Sequence, residues 1–131
     1  ENKKLDPSSV ENIYMLKTGK LLEASILAPT YFKEMNEEKF FALKRFSESI
    51  GVAFQIQDDL IEAEGDPDTI GKSIKSDREK NKAAYPILFG LDESKNRVDE
   101  LYQSACDALK VFGDSSDSLR EMAEIIIHRK L

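Results

Sequence analysis

Phe54-Gln55-Ile56-Gln57-Asp58-Asp59-Leu60-Ile61-Glu62 sets three carboxylates and a glutamine directly after an apolar run. At about 100° per residue, Gln55, Asp58 and Glu62 share one face of a helix, with Asp59 on its shoulder. Such a row repels itself unless something positive sits against it or water solvates it. A hard divalent cation suits it: Mg²⁺ takes one or two carboxylates, keeps several waters and completes its octahedron with phosphate oxygens. A solvated face is the plain alternative in a chain with 25 Asp+Glu against 19 Lys+Arg.

The approach to the carboxylates weighs against the plain reading. Leu43, Phe46, Ile50 and Phe54 recur at helical spacing, so this helix is anchored in a core. Beside that stripe run Ser47, Gly51, Gln55, Asp58 and Glu62. Small residues leading up to acidic ones suit a helix that lines a cavity.

Working outward, the pattern is helical nearly throughout, and alternating β-branched runs are missing. The fold class is therefore all-α. Asp6-Pro7 or Ser8 opens a first helix, Ser8 to Glu11 having capping-box spacing, and it is expected to run to about Ala28, where Pro29 stops it. The acidic helix spans about Asn36 to Glu64 and breaks at Gly65-Asp66-Pro67. Residues 65–81 read as a charged loop. Helical pattern resumes near Ala83 to Leu91, continues from about Asp92 to Phe112, and ends with a segment from about Ser116 holding Leu119, Met122, Ala123, Ile126 and Ile127 on one side. Short connections imply an antiparallel helical array.

On the first helix, Val10, Ile13, Leu21, Ala24 and Ala28 mark the expected buried stripe, and Lys17 falls where that stripe wants an apolar residue. A lysine there either snorkels to water or meets an anion. Thr18-Gly19 follow it, and a mid-helix glycine costs about 1 kcal/mol relative to alanine, so a ligand or a partner helix is expected to approach that backbone. A second cationic group, Lys72, Lys75, Arg78, Lys80 and Lys82, lies in the loop. Together with the acidic row, these cations suggest a diphosphate held between metal ions and lysines.

Composition bounds the rest. The 131 residues make one domain's worth of chain, 40% hydrophobic and 34% charged, with net charge −6, which argues against a nucleic-acid surface. No apolar run approaches the ~20 residues of a membrane span. Cys106 has no partner for an internal disulfide and reads as a small core residue. His128 in the last turn suits the helix dipole. A cytoplasmic location is the expectation. Glu1-Asn2-Lys3-Lys4 reads as the continuation of a longer chain.

Lys17-Thr18-Gly19, Phe54-Gln55-x-x-Asp58-Asp59-x-x-Glu62, Gly65-Asp66, Gly71-Lys72, Asp77, Lys82 and Tyr85-Pro86 occur in that order. This spaced set resembles the C-terminal half of the short-chain trans-prenyl diphosphate synthases, most of all the bacterial farnesyl diphosphate synthases. The resemblance extends over essentially the whole chain, 1–131, including the ending Ile125-Ile126-Ile127-His128-Arg129. It implies the C-terminal half of the isoprenoid (terpenoid) synthase helical fold, a homodimer when full length, and Mg²⁺-dependent condensation of an allylic diphosphate with isopentenyl diphosphate. It further implies that Asp58, and less directly Asp59 and Glu62, form the second aspartate-rich, metal-binding motif. Lys17, Thr18, Gln55, Lys72 and Lys82 would contact the allylic diphosphate or metal-bound waters, Phe54 would border the homoallylic substrate, and Arg129 would close over its diphosphate.

Departures accompany the match. Glu62 stands where the family usually has Asp, Lys75 where it has Gly, Ala84 where it has Thr, and Tyr14 where bacterial members often have His. The family's first motif, DDxxD, belongs to the N-terminal half, and no second acidic row is present here. The 131 residues are therefore expected to hold half an active site and to be inactive alone. A geranylgeranyl diphosphate synthase and a non-catalytic partner subunit of a heteromeric synthase are the competing readings.

Overall fold

A computed structural model describes residues 5–65 and 84–128, and the described residues are helical without strands. Among the described residues six α-helices follow in chain order: α1 Pro7–Tyr14, α2 Lys20–Leu27, α3 Glu37–Glu64, α4 Tyr85–Phe89, α5 Leu91–Ala108 and α6 Asp117–His128. A π-helical turn, Met15–Gly19, joins α1 to α2.

Helix α3 is the centre of the molecule. Asn36 caps it, its side chain accepting the Lys39 N–H at 2.8 Å, and Glu37 and Glu38 in the first turn complement the helix dipole. It runs unbroken to Glu64, as its cap, period and following Gly-Asp-Pro foretell. Phe46, Ile50, Ala53 and Ile56 are wholly buried along it, packed chiefly between α5 on one side and α2 with the π turn on another. Burying a side chain of that size contributes about 1.5–3 kcal/mol.

Of the two expected openings, Asp6-Pro7 is the one found: the Asp6 Oδ1 accepts the Ser9 N–H at 2.7 Å and caps α1, with Pro7 in the first turn, where its missing N–H costs nothing. The expected stripe fails beyond Val10. Ile13, Leu21, Ala24 and Ala28 are exposed, whereas Val10, Tyr14, Gly19 and Leu27 are buried. Ile13 precedes the π turn, and there α1 turns Tyr14 inward instead; from Met15 on, the π turn is the reason. It inserts an extra residue into the helical repeat, so buried positions step by four, then five, instead of keeping one 3.6 period. Pro29 does not end the helix abruptly either; Ala28–Phe32 continues as a 3₁₀ turn before Lys33 becomes extended.

In the second half, α4 begins at Tyr85 and is separated from α5 by Gly90, whose φ of +92° lies in the left-handed region that glycine enters without steric cost. Helix α5 stops at Ala108, short of the expected Phe112, and Leu109–Ser116 forms a 3₁₀ segment turned at Gly113. Helix α6 presents Ala123 and Ile127 to the core, with Leu119, Met122 and Ile126 half-buried beside them, as its periodicity indicates. Cys106 lies half-buried on α5. No helix among the described residues is long and apolar enough to cross a membrane.

Two polar ties brace the ends. Arg97 on α5 grips Glu11 on α1 through two hydrogen bonds, Nε to Oε1 at 2.7 Å and Nη2 to Oε2 at 3.0 Å. His128 pairs with Glu124 one turn back at 3.0 Å, its ring edge-on to Tyr102.

Candidate functional site

The α1–π–α2 segment and α3 meet at three levels. A Cβ on Gly51 would lie 2.9 Å from the Gly19 Cα, so the two backbones touch there without side chains between them. Thr18 and Phe54 line a common hollow of about 230 Å³, walled otherwise by Leu21, Leu22, Ser25, Gly51 and Ile126. Tyr14 donates a short hydrogen bond to Asp59. The pairs 19 with 51, 18 with 54 and 14 with 59 advance in opposite senses, so the two segments run antiparallel. A packed helix, one of the two alternatives left open, is what approaches the Gly19 backbone, and Gly51 is the glycine that this contact requires.

That register brings the two halves of the expected constellation to one place. Lys17 and Thr18 lie on the π turn, level with the stretch of α3 that carries Phe54, Gln55 and Asp58. Single π turns are frequent at functional sites, because the extra residue redirects side chains that a regular helix would aim elsewhere. Lys17 is exposed, as are Asp58 and Glu62; Thr18, Phe54 and Gln55 are half-buried. Lys72, Lys82 and Arg129 lie outside the described residues.

Asp59 stands apart from the row it belongs to in sequence. Its Oδ2 accepts the Tyr14 hydroxyl and, at 3.4 Å, the backbone N–H of Tyr85. The Tyr85 N–H also donates to the Tyr14 oxygen at 2.8 Å. The Tyr85 N–H is one of the unpaired donors at the start of α4, and α3 with α1 supplies its acceptors. Burial pushes the Asp59 carboxyl above the ordinary carboxylate range, against the lowering effect of both hydrogen bonds, and the charges of Glu62 and Asp58 push the same way. Burial, then the bond to Asp59, raises the Tyr14 hydroxyl as well. Tyr14 carried no expectation beyond standing where a histidine is common. Its four-residue spacing from Val10 was the available sign that it faces inward.

Among the described residues, no group of three or more His, Cys, Asp or Glu side chains is arranged to hold a metal by itself. An all-protein cage is not what Mg²⁺ requires. Exposed carboxylates one turn apart, as Asp58 and Glu62 are, suit an ion that keeps its waters and shares phosphate oxygens with a ligand. The residues fit that ion in kind.

The polyprenyl synthetase family model matches residues 1–117. The chain belongs to that family. Among curated relatives, a farnesyl diphosphate synthase of Haemophilus influenzae is 38% identical over 99% of this chain and 44% of its own length. A geranylgeranyl diphosphate synthase of Cyanophora paradoxa is 32% identical over 89% of this chain and 39% of its own. A solved structure described as a putative farnesyl-diphosphate synthase from Marinomonas sp. superposes with a TM-score of 0.75 at 32% identity, covering 96% of this chain and 42% of that one. This polyprenyl synthetase chain accordingly has the all-α isoprenoid synthase architecture, and it spans less than half the length of the relatives it matches.

Proposed function

We propose that these residues form the C-terminal, second aspartate-rich wall of a short-chain prenyl diphosphate synthase that makes farnesyl diphosphate from dimethylallyl or geranyl diphosphate and isopentenyl diphosphate. The observation that carries the reading is the antiparallel register that sets Lys17 and Thr18 level with Phe54, Gln55 and Asp58. In this reading Asp58, with Glu62, holds Mg²⁺, and Lys17, Thr18 and Gln55 contact the allylic diphosphate. Lys72 and Lys82 add positive charge to the same anion, and Arg129 serves the homoallylic diphosphate. Phe54 and the hollow beside it offer an apolar surface to the hydrocarbon.

The chemistry asks little covalent work of the protein. The allylic C–O bond breaks with its electron pair leaving on the diphosphate. The isopentenyl double bond then attacks the allylic cation to form the new C–C bond, and a proton is lost. Bound Mg²⁺ would supply Lewis-acid neutralisation of the departing oxygens. Lys17 adds a fixed positive charge to the same oxygens, and apolar walls keep water from capturing the cation.

The first aspartate-rich wall would come from residues outside these 131, so the segment alone is inactive in this reading, and the full-length enzyme is a homodimer. The geranylgeranyl-forming relative supports a longer product as the second reading. Two measurements test the proposal. Calorimetric titration of Mg²⁺ should show binding that depends on inorganic diphosphate and is lost in Asp58→Asn. Incorporation of labelled isopentenyl diphosphate should be absent for residues 1–131 alone; turnover there, or metal binding indifferent to diphosphate, overturns it.

A further inference from the structure

The acidic row presents its members to different surroundings. Asp58 and Glu62 are exposed, while the Asp59 carboxylate is drawn toward α4 by Tyr14 and the Tyr85 amide. The three bonded groups come from three elements, so the arrangement is set by the fold and not by α3 alone. Without the Tyr14 hydroxyl, Asp59 would keep, among the described residues, only the 3.4 Å contact to the Tyr85 N–H, too long to offset the cost of a half-buried carboxylate. It would then gain by turning outward to water, beside its neighbours on the row.

We propose that Tyr14 is a positioning residue: by holding Asp59 against the start of α4, it limits the exposed row to Asp58 and Glu62 and so makes metal capture depend on a diphosphate ligand. This rests on the reading of the row as a metal-diphosphate wall. Two exposed carboxylates bind Mg²⁺ weakly until phosphate oxygens complete the shell. A third carboxylate turned into the row raises the negative charge there and allows the ion to bind without diphosphate. It also repels the diphosphate that should follow. Tyr14 would act through Asp59, touching neither metal nor substrate.

The experiment measures Mn²⁺ binding by electron paramagnetic resonance, with and without inorganic diphosphate, in wild type, Tyr14→Phe, Tyr14→Phe/Asp59→Asn and Asp58→Asn. Tyr14→Phe should bind Mn²⁺ without diphosphate at least about tenfold more tightly than wild type, while its diphosphate-dependent component weakens; a charge brought close is worth that order. Adding Asp59→Asn should abolish the new binding, an outcome that mere loss of packing would not produce. An unchanged Tyr14→Phe, or new binding that survives in the double variant, overturns the proposal. Asp58→Asn separates this from failure of the underlying reading: if it leaves diphosphate-dependent binding intact, the wall itself is misassigned and the role of Tyr14 falls with it. Should Tyr14→Phe not fold, Tyr14→His, whose ring N–H can still donate to Asp59, replaces it. The wild-type binding pattern then supports the assignment, and diphosphate-independent binding overturns it.

Discussion

The Cα of Gly19 occupies the place where a side chain on Gly51 would begin, 2.9 Å from its first carbon. Both partners are backbone, and neither can turn aside. Gly51→Ala should therefore force α3 away from the π turn and cost about 1–3 kcal/mol, as overpacked cores do. At Gly19 the added carbon would meet the Met15 sulfur at 2.6 Å, part of a flexible side chain, and the substitution gains helix propensity. Urea denaturation of the two variants should show Gly51→Ala markedly less stable than Gly19→Ala; equal midpoints would mean the helices do not touch there.

Lys17 offers a cleaner separation of function from stability. Its side chain is exposed on the π turn, so Lys17→Ala should leave the melting temperature near that of wild type. Binding of inorganic diphosphate with Mg²⁺ should fall about tenfold, the equivalent of one charge-assisted hydrogen bond. Calorimetry showing undiminished diphosphate affinity would remove Lys17 from the site.

The grip of Arg97 on Glu11 depends on the guanidinium fork, which makes two bonds to one carboxylate. Lysine keeps the charge and loses the fork. Arg97→Lys should lower the urea midpoint by the equivalent of about 1 kcal/mol, a value discounted because the pair is partly open to water. A midpoint equal to wild type would show that charge alone joins α1 to α5.

Asp6 gives the stability a pH dependence of known sign. Its cap bond from the Ser9 N–H, and a further bond with the Ser9 side chain, hold its carboxyl below the ordinary value. A folded value below the unfolded one, near 3.9, means the stabilisation is complete above that pH and is lost as pH falls through the folded value. Asparagine caps equally well and does not titrate. Thermal melts between about pH 6 and pH 2 should lose part of their acid slope in Asp6→Asn; an unchanged slope would show that the cap bond is not what titrates.

Helix α3 is legible from end to end, because its stripe lies within its own residues and its cap and Gly-Asp-Pro stop lie directly beside them. The same holds for α6. The first helix is not, because periodicity assumes one repeat length. The π turn changes that length at Met15–Gly19, and so Leu21 lies outside while Gly19 and Leu27 lie inside. The candidate site divides along the same line. Lys17, Thr18, Gln55 and Asp58 could be marked as residue types at telling intervals, and the family match extends over them. The bond from Tyr14 to Asp59 joins residues 45 apart, and both oxygens also accept the Tyr85 N–H, a meeting that exists only once α4 is folded against α3.

The π turn also sets the phase of everything before it. One residue more than a regular helix needs is about 100° of rotation. Deleting a single residue between Met15 and Gly19 would restore an ordinary coil, swing α1 about its own axis and carry Tyr14 off Asp59 and Glu11 off Arg97 together. A length difference of one residue is thereby converted into an orientation, and insertions or deletions in these five residues will be tolerated far less than in the 3₁₀ turn at Ala28–Phe32, where the chain is already leaving the helix.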